Sequence, residues 1–296
     1  MEGKAIPTKA ELTKILALLG YPQITEEAIS AFVSEEDGYE YAVWLIDSGG
    51  EKYVLKRAKA YETEVYRCFF KERRPYVPAF IGSAKYGEET YFLTEYCQGE
   101  DLRICKREKL RKVIEALTAM QDEFWQREDL YGSAVTMERA LEGIENRGKY
   151  LGSELLEKVY GEFKRVYRET PRTLCHDDLL PINVLVGDRA VFIDWEYGGI
   201  LPYLSSVARL IAHGREEKGA FFYMTGEDRN YAIDSYFEEL VRKHGISYDE
   251  YRRTLEYFMF YEYCEWVMIG NRYDSRSDER YRYYLKLAEE TAEKLS

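Results

Sequence analysis

Apolar and polar positions change rhythm twice along the chain. Residues 8–20, "TKAELTKILALLG", carry apolar side chains at helical spacing and predict a first helix. Three β-rich runs follow, "AISAFVS", "EYAVWLID" and "EKYVLKRA", the last two joined by Ser48-Gly49-Gly50 as a hairpin. "AYETEVYRCFFKE" returns to helical spacing, with Val65, Cys68 and Phe69 on one face, and "PAFIGSAKYGEETYFLTEY" predicts two more strands around Gly87. Beyond "CQGEDL" helical patterns cover 107–127, 137–146, 149–168, 203–213, 229–244, 248–269 and 277–295, interrupted by the strand-like runs "NVLV" and "AVFID". The pattern predicts an α+β, two-lobed chain. A β-rich N-terminal lobe spans 1–96, with a leading helix, a five-stranded sheet and one helix; a connector spans 97–101; a larger, mainly helical lobe spans 102–296. Clefts between such lobes are where small ligands sit.

Composition narrows the classes. The chain has 296 residues, 46% hydrophobic and 32% charged, with 7 Pro, an ordinary folded composition. A net charge of −12 argues against nucleic-acid binding and favours a cationic small molecule as partner. An anionic nucleotide would then need locally gathered basic groups or metal. The 5 Cys form no C-x-x-C pair and there are only 3 His, which argues against a zinc site or disulfide framework and fits a reducing cytoplasm. The N-terminal stretch is charged and its apolar segment short, and no run of eighteen apolar residues occurs elsewhere, so no membrane partner is expected.

One stretch carries chemistry: "CHDDLLPINVLVGDRAVFIDWE", from Cys175 to Glu196. A hairpin turning about Asp188-Arg189, with a two- or four-residue loop, sets Asn183 opposite Asp194. Opposed strand residues share a face with Cβ atoms about 5 Å apart, so an amide oxygen and a carboxylate meet at one point. Such oxygen-rich ligation suits Mg²⁺. Asp178 lies just upstream, separated from Asn183 by Leu179, Leu180, Pro181 and Ile182. A carboxylate there can orient a hydroxyl and accept its proton.

The residues H-x-D-x-x-x-x-N followed by I-D resemble the aminoglycoside phosphotransferase and choline kinase superfamily, small-molecule relatives of the protein kinases. The resemblance implies a protein-kinase-like fold, ATP or GTP with Mg²⁺, Asp178 as catalytic residue, and Asn183 and Asp194 as metal ligands. Asp177 then fills a variable loop or solvent position, and Asp194-Trp195-Glu196 stands where relatives carry D-W-E. It also implies that Lys56 in "YVLK" grips nucleotide phosphates and pairs with a helix carboxylate. Glu62 and Glu64 compete for that role; Glu64, followed by an apolar run and then Val77-Pro78, is favoured. "SEEDGYE" would cover the phosphates through the amides of Gly38 and Tyr39, and adenine would be read by backbone groups of Glu95 and Cys97 in "FLTEYCQGEDL". Departures exist: Leu201 replaces an acid before Pro202, Ser205 or Ser206 replaces a later Asp, and Gln121 stands where His is common.

The helix "FMFYEYCEWVMIGNRYD" sets Glu262 and Glu265 three apart beside Trp266, a grouping suited to a cationic amine. These features together predict an ATP/Mg²⁺-dependent cytoplasmic phosphotransferase acting on a hydroxyl of a small, amine-bearing molecule. A nucleotide-binding module without transfer activity is the alternative. A metal phosphohydrolase using His176 and Asp177 is disfavoured by the scarcity of His, and a protein kinase by the lack of an A-P-E-like segment.

Overall fold

The computed structural model describes residues 6–33, 38 and 40–296. Helix α1 (Lys9–Leu18) starts at a capping box in which Thr8 and Glu11 satisfy each other's backbone amides. It buries Leu12, Ile15 and Leu16 on one face of an antiparallel sheet of β1 (Ile29–Val33), β2 (Glu40–Ser48), β3 (Glu51–Arg57), β4 (Phe80–Tyr86) and β5 (Glu89–Glu95). Strand order is β1-β2-β3-β5-β4. Because side chains alternate, Leu55 and Leu93 join the α1 core, while Lys56 and its cross-strand neighbour Phe92 point to the other face. There helix α2 (Glu62–Phe69) packs Tyr66 against Phe80 and Phe92. The strong amphipathic stripe of α2 thus faces the larger lobe and carries Lys56's surroundings with it.

The larger lobe contains α3 (Arg107–Glu123), α4 (Met137–Gly148), α5 (Glu154–Glu169), α6 (Leu204–Ala212), α7 (Gly226–Glu239), α8 (Tyr248–Arg272) and α9 (Glu279–Leu295). Between α5 and α6 run β6 (Arg172–Cys175), β7 (Val184–Val186), β8 (Ala190–Phe192) and β9 (Gly199–Pro202). The chain therefore has the two-lobed α+β architecture that its hydrophobic pattern predicts. Boundaries shift where backbone chemistry intervenes. The helix expected from 149 starts only at Glu154, after Gly152 takes a positive φ of 70°. The antiparallel pair β6 and β9 was not foreseen; it joins short segments distant in sequence.

Two glycines let backbones touch. A Cβ on Gly199 would lie 2.1 Å from the Val135 carbonyl oxygen, and one on Gly187 would lie 2.4 Å from that of Gln98. At the second point Glu100 and Val186 exchange backbone hydrogen bonds of 3.1 and 2.8 Å, fastening the segment between β5 and α3 to the β7–β8 turn.

Candidate active site

The β7–β8 hairpin forms with a register one residue away from the expected one. Val186 pairs with Ala190 and Val184 with Phe192, so the loop is the three residues Gly187, Asp188 and Arg189. Asn183 consequently faces Ile193, whose N–H donates to the Asn183 carbonyl at 2.9 Å, and not Asp194. Asp194 lies one step past the ladder with φ at 67°, a left-handed conformation that takes its carboxylate out of the strand's alternation. That carboxylate meets the Lys56 ammonium in a short ion pair and Lys59 at 3.5 Å. Burial opposes its ionisation, yet Lys56 and Lys59 hold it below the usual Asp range.

Glu62, not Glu64, is the helix partner of Lys56, at 2.7 Å. The reason is helical phase. Glu62 sits three and seven residues before Val65 and Phe69, on the buried stripe, whereas Glu64 turns toward the larger lobe and accepts from the Ala134 N–H at 3.0 Å. Burial raises the Glu62 carboxyl's pKa despite the Lys56 charge.

His176 ties three segments together. Its N–H donates to Ser206 Oγ at 2.9 Å, its Nε2 lies 2.7 Å from the Ile193 carbonyl, and its ring lies against buried Trp195 at 4.5 Å. Ser206 thus anchors the loop through its hydroxyl. Burial pushes the His176 pKa down to about 4, so the ring is neutral and Nε2 is the donor. This leaves Asp177 and Asp178 at the end of a firmly held strand.

Asp178 opens onto a cleft of about 550 Å³, lined also by Asp177, Glu196, Arg209, Glu262 and Glu265. Its main-chain carbonyl accepts from Asn183 Nδ2 at 2.8 Å, which brings the loop acid and the amide together. Asp177, expected in a loop or solvent position, lies in the loop after β6, half-buried, and lines the same cleft, with φ at 58°. Burial pushes Asp177 up to about 7, against the pull of Arg147. Burial likewise pushes Asp178 up to about 6, with Arg209 opposing and Glu265 and Glu262 assisting.

Arg209 on α6 is the residue that sequence reasoning missed. Its guanidinium donates to Asp178 Oδ1 at 2.9 and 3.1 Å, to Glu262 at 2.8 Å and to Glu265 in a short contact. Glu262 is buried, and Arg209 with His213 holds its carboxyl well below the usual range against the desolvation that opposes it. Glu262 and Glu265 therefore share one guanidinium with Asp178, so an internal cation already engages the acids that were expected to face a cationic substrate. The ligating atoms of His213, Glu262 and Glu265 lie within 4.8 Å of one another, but the Arg209 guanidinium fills the place a metal ion would take. Trp266 stacks on Tyr284 and under Arg280, lining a separate cavity of about 140 Å³ and not the cleft of Asp178.

On the nucleotide side, the Glu95 N–H is committed to the Ala79 carbonyl at 3.0 Å, and its carboxylate is clamped by Arg73 and Arg189. The backbone groups of Cys97 make no hydrogen bond among the described residues, and burial pushes its thiol up to about 11. Gly38 has φ at 70° with open space around it; Tyr39 lies outside the described residues.

Comparison with known proteins places this geometry. A sequence profile of the Phosphotransferase enzyme family, APH, matches residues 35–239. Protein LicA from Haemophilus influenzae is 25% identical over 114 residues, which cover 38% of this chain and 40% of LicA. The chain thus spans less than half the length of that curated relative. The crystal structure of a thermostable mutant of aminoglycoside phosphotransferase APH(4)-Ia, in ternary complex with AMP-PNP and hygromycin B, superposes with a TM-score of 0.58 at 17% identity. That superposition covers 90% of this chain and 93% of the other. The aminoglycoside phosphotransferase from Alicyclobacillus acidocaldarius gives 0.58 at 14% identity over 100% and 95% of the two chains. The structures share the kinase-like fold, and the family match extends over more than half of the sequence. The chain belongs to the APH phosphotransferase enzyme family.

Proposed function

We propose that the protein transfers the γ-phosphate of ATP, with Mg²⁺, to a hydroxyl of a small, amine-bearing molecule. The observation that carries this reading is the position of Asp178, at the floor of a cleft of about 550 Å³ and bonded through its carbonyl to Asn183. An acceptor hydroxyl in that cleft meets the Asp178 carboxylate, which orients it and takes its proton; such positioned bases contribute roughly 10²–10⁴-fold. Arg209 fixes the carboxylate's direction through two N–H donors.

The donor set suits a hard divalent ion. With Nδ2 given to the Asp178 carbonyl, Asn183 Oδ1 has no hydrogen-bond donor among the described residues, and Asp194 is an anion that already draws two lysines. Asn183 and Asp194 would hold Mg²⁺, which when bound neutralises phosphate charge. Lys56, braced by buried Glu62, supplies a cation for the nucleotide's phosphates. APH(4)-Ia has been crystallised with AMP-PNP and hygromycin B in a similar fold, which supports a nucleotide and a small-molecule acceptor here. Asp177 and Glu196, the latter 3.6 Å from Lys59, add acids to the cleft for an amine, with Tyr167, Tyr197 and Tyr261 also lining it.

The test is ADP release, with and without Mg²⁺, across aminoglycosides, amino alcohols, hydroxyamino acids and sugars. Metal-dependent release that rises with one acceptor class supports the reading. Tight binding of Mg·ATP with no phosphorylated product from any acceptor would favour the non-transferring alternative.

A further inference from the structure

Helix α4 contributes two arginines to a cleft otherwise rich in acids. Arg139, Gly143 and Arg147 fall four residues apart on one helical face, and all three line the cavity that holds Asp178. Among the described residues neither arginine has a carboxylate within ion-pair distance. Arg209, by contrast, binds three carboxylates. Each α4 guanidinium instead lies beside an aromatic ring, Arg139 at 5.9 Å from Tyr61 and Arg147 at 5.4 Å from Tyr261. Arg147 also donates to the Tyr261 hydroxyl. Between them a Cβ on Gly143 would meet nothing within 4 Å, so the helix surface between the two arginines is open. In a chain of net charge −12, two arginines in one cleft, neither within ion-pair distance of a carboxylate among the described residues, are a specific feature.

We propose that Arg139 and Arg147 bind an oxyanion group of the acceptor, a carboxylate or a phosphate ester, while its hydroxyl faces Asp178. The planar guanidinium fork matches either group, and the flanking rings hold the side chains in place at low entropic cost. The acceptor is then a hydroxylated zwitterion or anion: any amine meets the acids of the floor, and the oxyanion meets the rim on α4. This inference rests on the phosphotransfer reading for the hydroxyl's role, and on geometry alone for the oxyanion.

The experiment compares compounds that differ only in the anion: L-serine with ethanolamine, L-homoserine with aminopropanol, and glycerol phosphate with glycerol. Each is assayed by ADP release and by calorimetric binding, on the wild type and on Arg139→Gln and Arg147→Gln. Both positions are exposed, and circular dichroism checks the fold. The expected result is preference for the anionic member of at least one pair, with KM or Kd weakened roughly ten- to hundredfold in each variant and the uncharged member unaffected. The amino-acid and phosphate pairs separate carboxylate from phosphate ester. Equal handling of both members of every pair, or no change in either variant, overturns the inference and leaves phosphotransfer standing. Anion-selective binding lost in the variants without any ADP release upholds the inference and removes phosphotransfer instead.

Discussion

Lys56 is held between Glu62 and Asp194, and its two partners differ in what they do. Glu62 is buried and structural to the lysine, so Glu62→Gln should weaken nucleotide binding roughly tenfold. Glu64→Gln still accepts from the Ala134 N–H and should leave nucleotide affinity unchanged, as calorimetric titration of both variants would register. His176 gives a pH signature. Its folded pKa of about 4 lies below the ordinary value of 6.5, so the unfolded chain binds more protons between those values. Its contribution to stability is complete above 6.5 and shrinks as pH falls toward 4, by about 3 kcal/mol in all. His176→Gln can still donate to the Ile193 carbonyl but does not titrate, so denaturant titrations of the two proteins should converge by that amount on acidification. A difference that stays constant with pH contradicts the buried neutral ring. The spacing of Asp178, Asn183 and Asp194, and the resemblance in the case of Lys56, marked those residues as candidates in the sequence. Arg209 was not marked, because 31 residues separate it from Asp178. Its only signal was a lone cation in the otherwise small and apolar "LSSVARLIA".

At the scale of elements, phase decides which side chains reach the site. Helix α2 was expected from its apolar residues, but the same stripe extended one turn back would have placed Glu62 inward. The β7–β8 hairpin was legible from its two apolar runs, whereas its register depended on loop length, which Gly187 and the passing Gln98 carbonyl set at three residues. Strands β6 and β9 were hidden because four-residue segments carry no clear alternation and their pairing is non-local. Their contact with the α4 side of the lobe leaves no room for a side chain at Gly199. Gly199→Ala should therefore cost about 1–3 kcal/mol through overpacking against the Val135 carbonyl, read as a lowered Tm. Glycine at 143 has space, and Gly143→Ala should leave Tm nearly unchanged.

At the scale of the molecule, the lobes meet at the Lys56–Asp194 ion pair, and the cleft at Asp178 is lined by Ala60 and Tyr61 of the smaller lobe as well as by the larger one. The change from strand to helix rhythm near residue 97 made this organisation legible, since each lobe has its own periodicity. The substrate was not legible: the acids of α8 looked free in sequence, and only the fold brings Arg209 to them. A ligand bridging both lobes stabilises them together, so Mg·ATP at a hundred times its Kd should add about 2.7 kcal/mol to the unfolding free energy. The most direct measurement of the central claim is single-turnover transfer to an active acceptor by wild type and Asp178→Asn, with nucleotide Kd measured on both. If Asp178 is the base, Kd is unchanged and the transfer rate falls by roughly 10²–10⁴ in Asp178→Asn. Equal transfer rates in the two proteins would contradict that role.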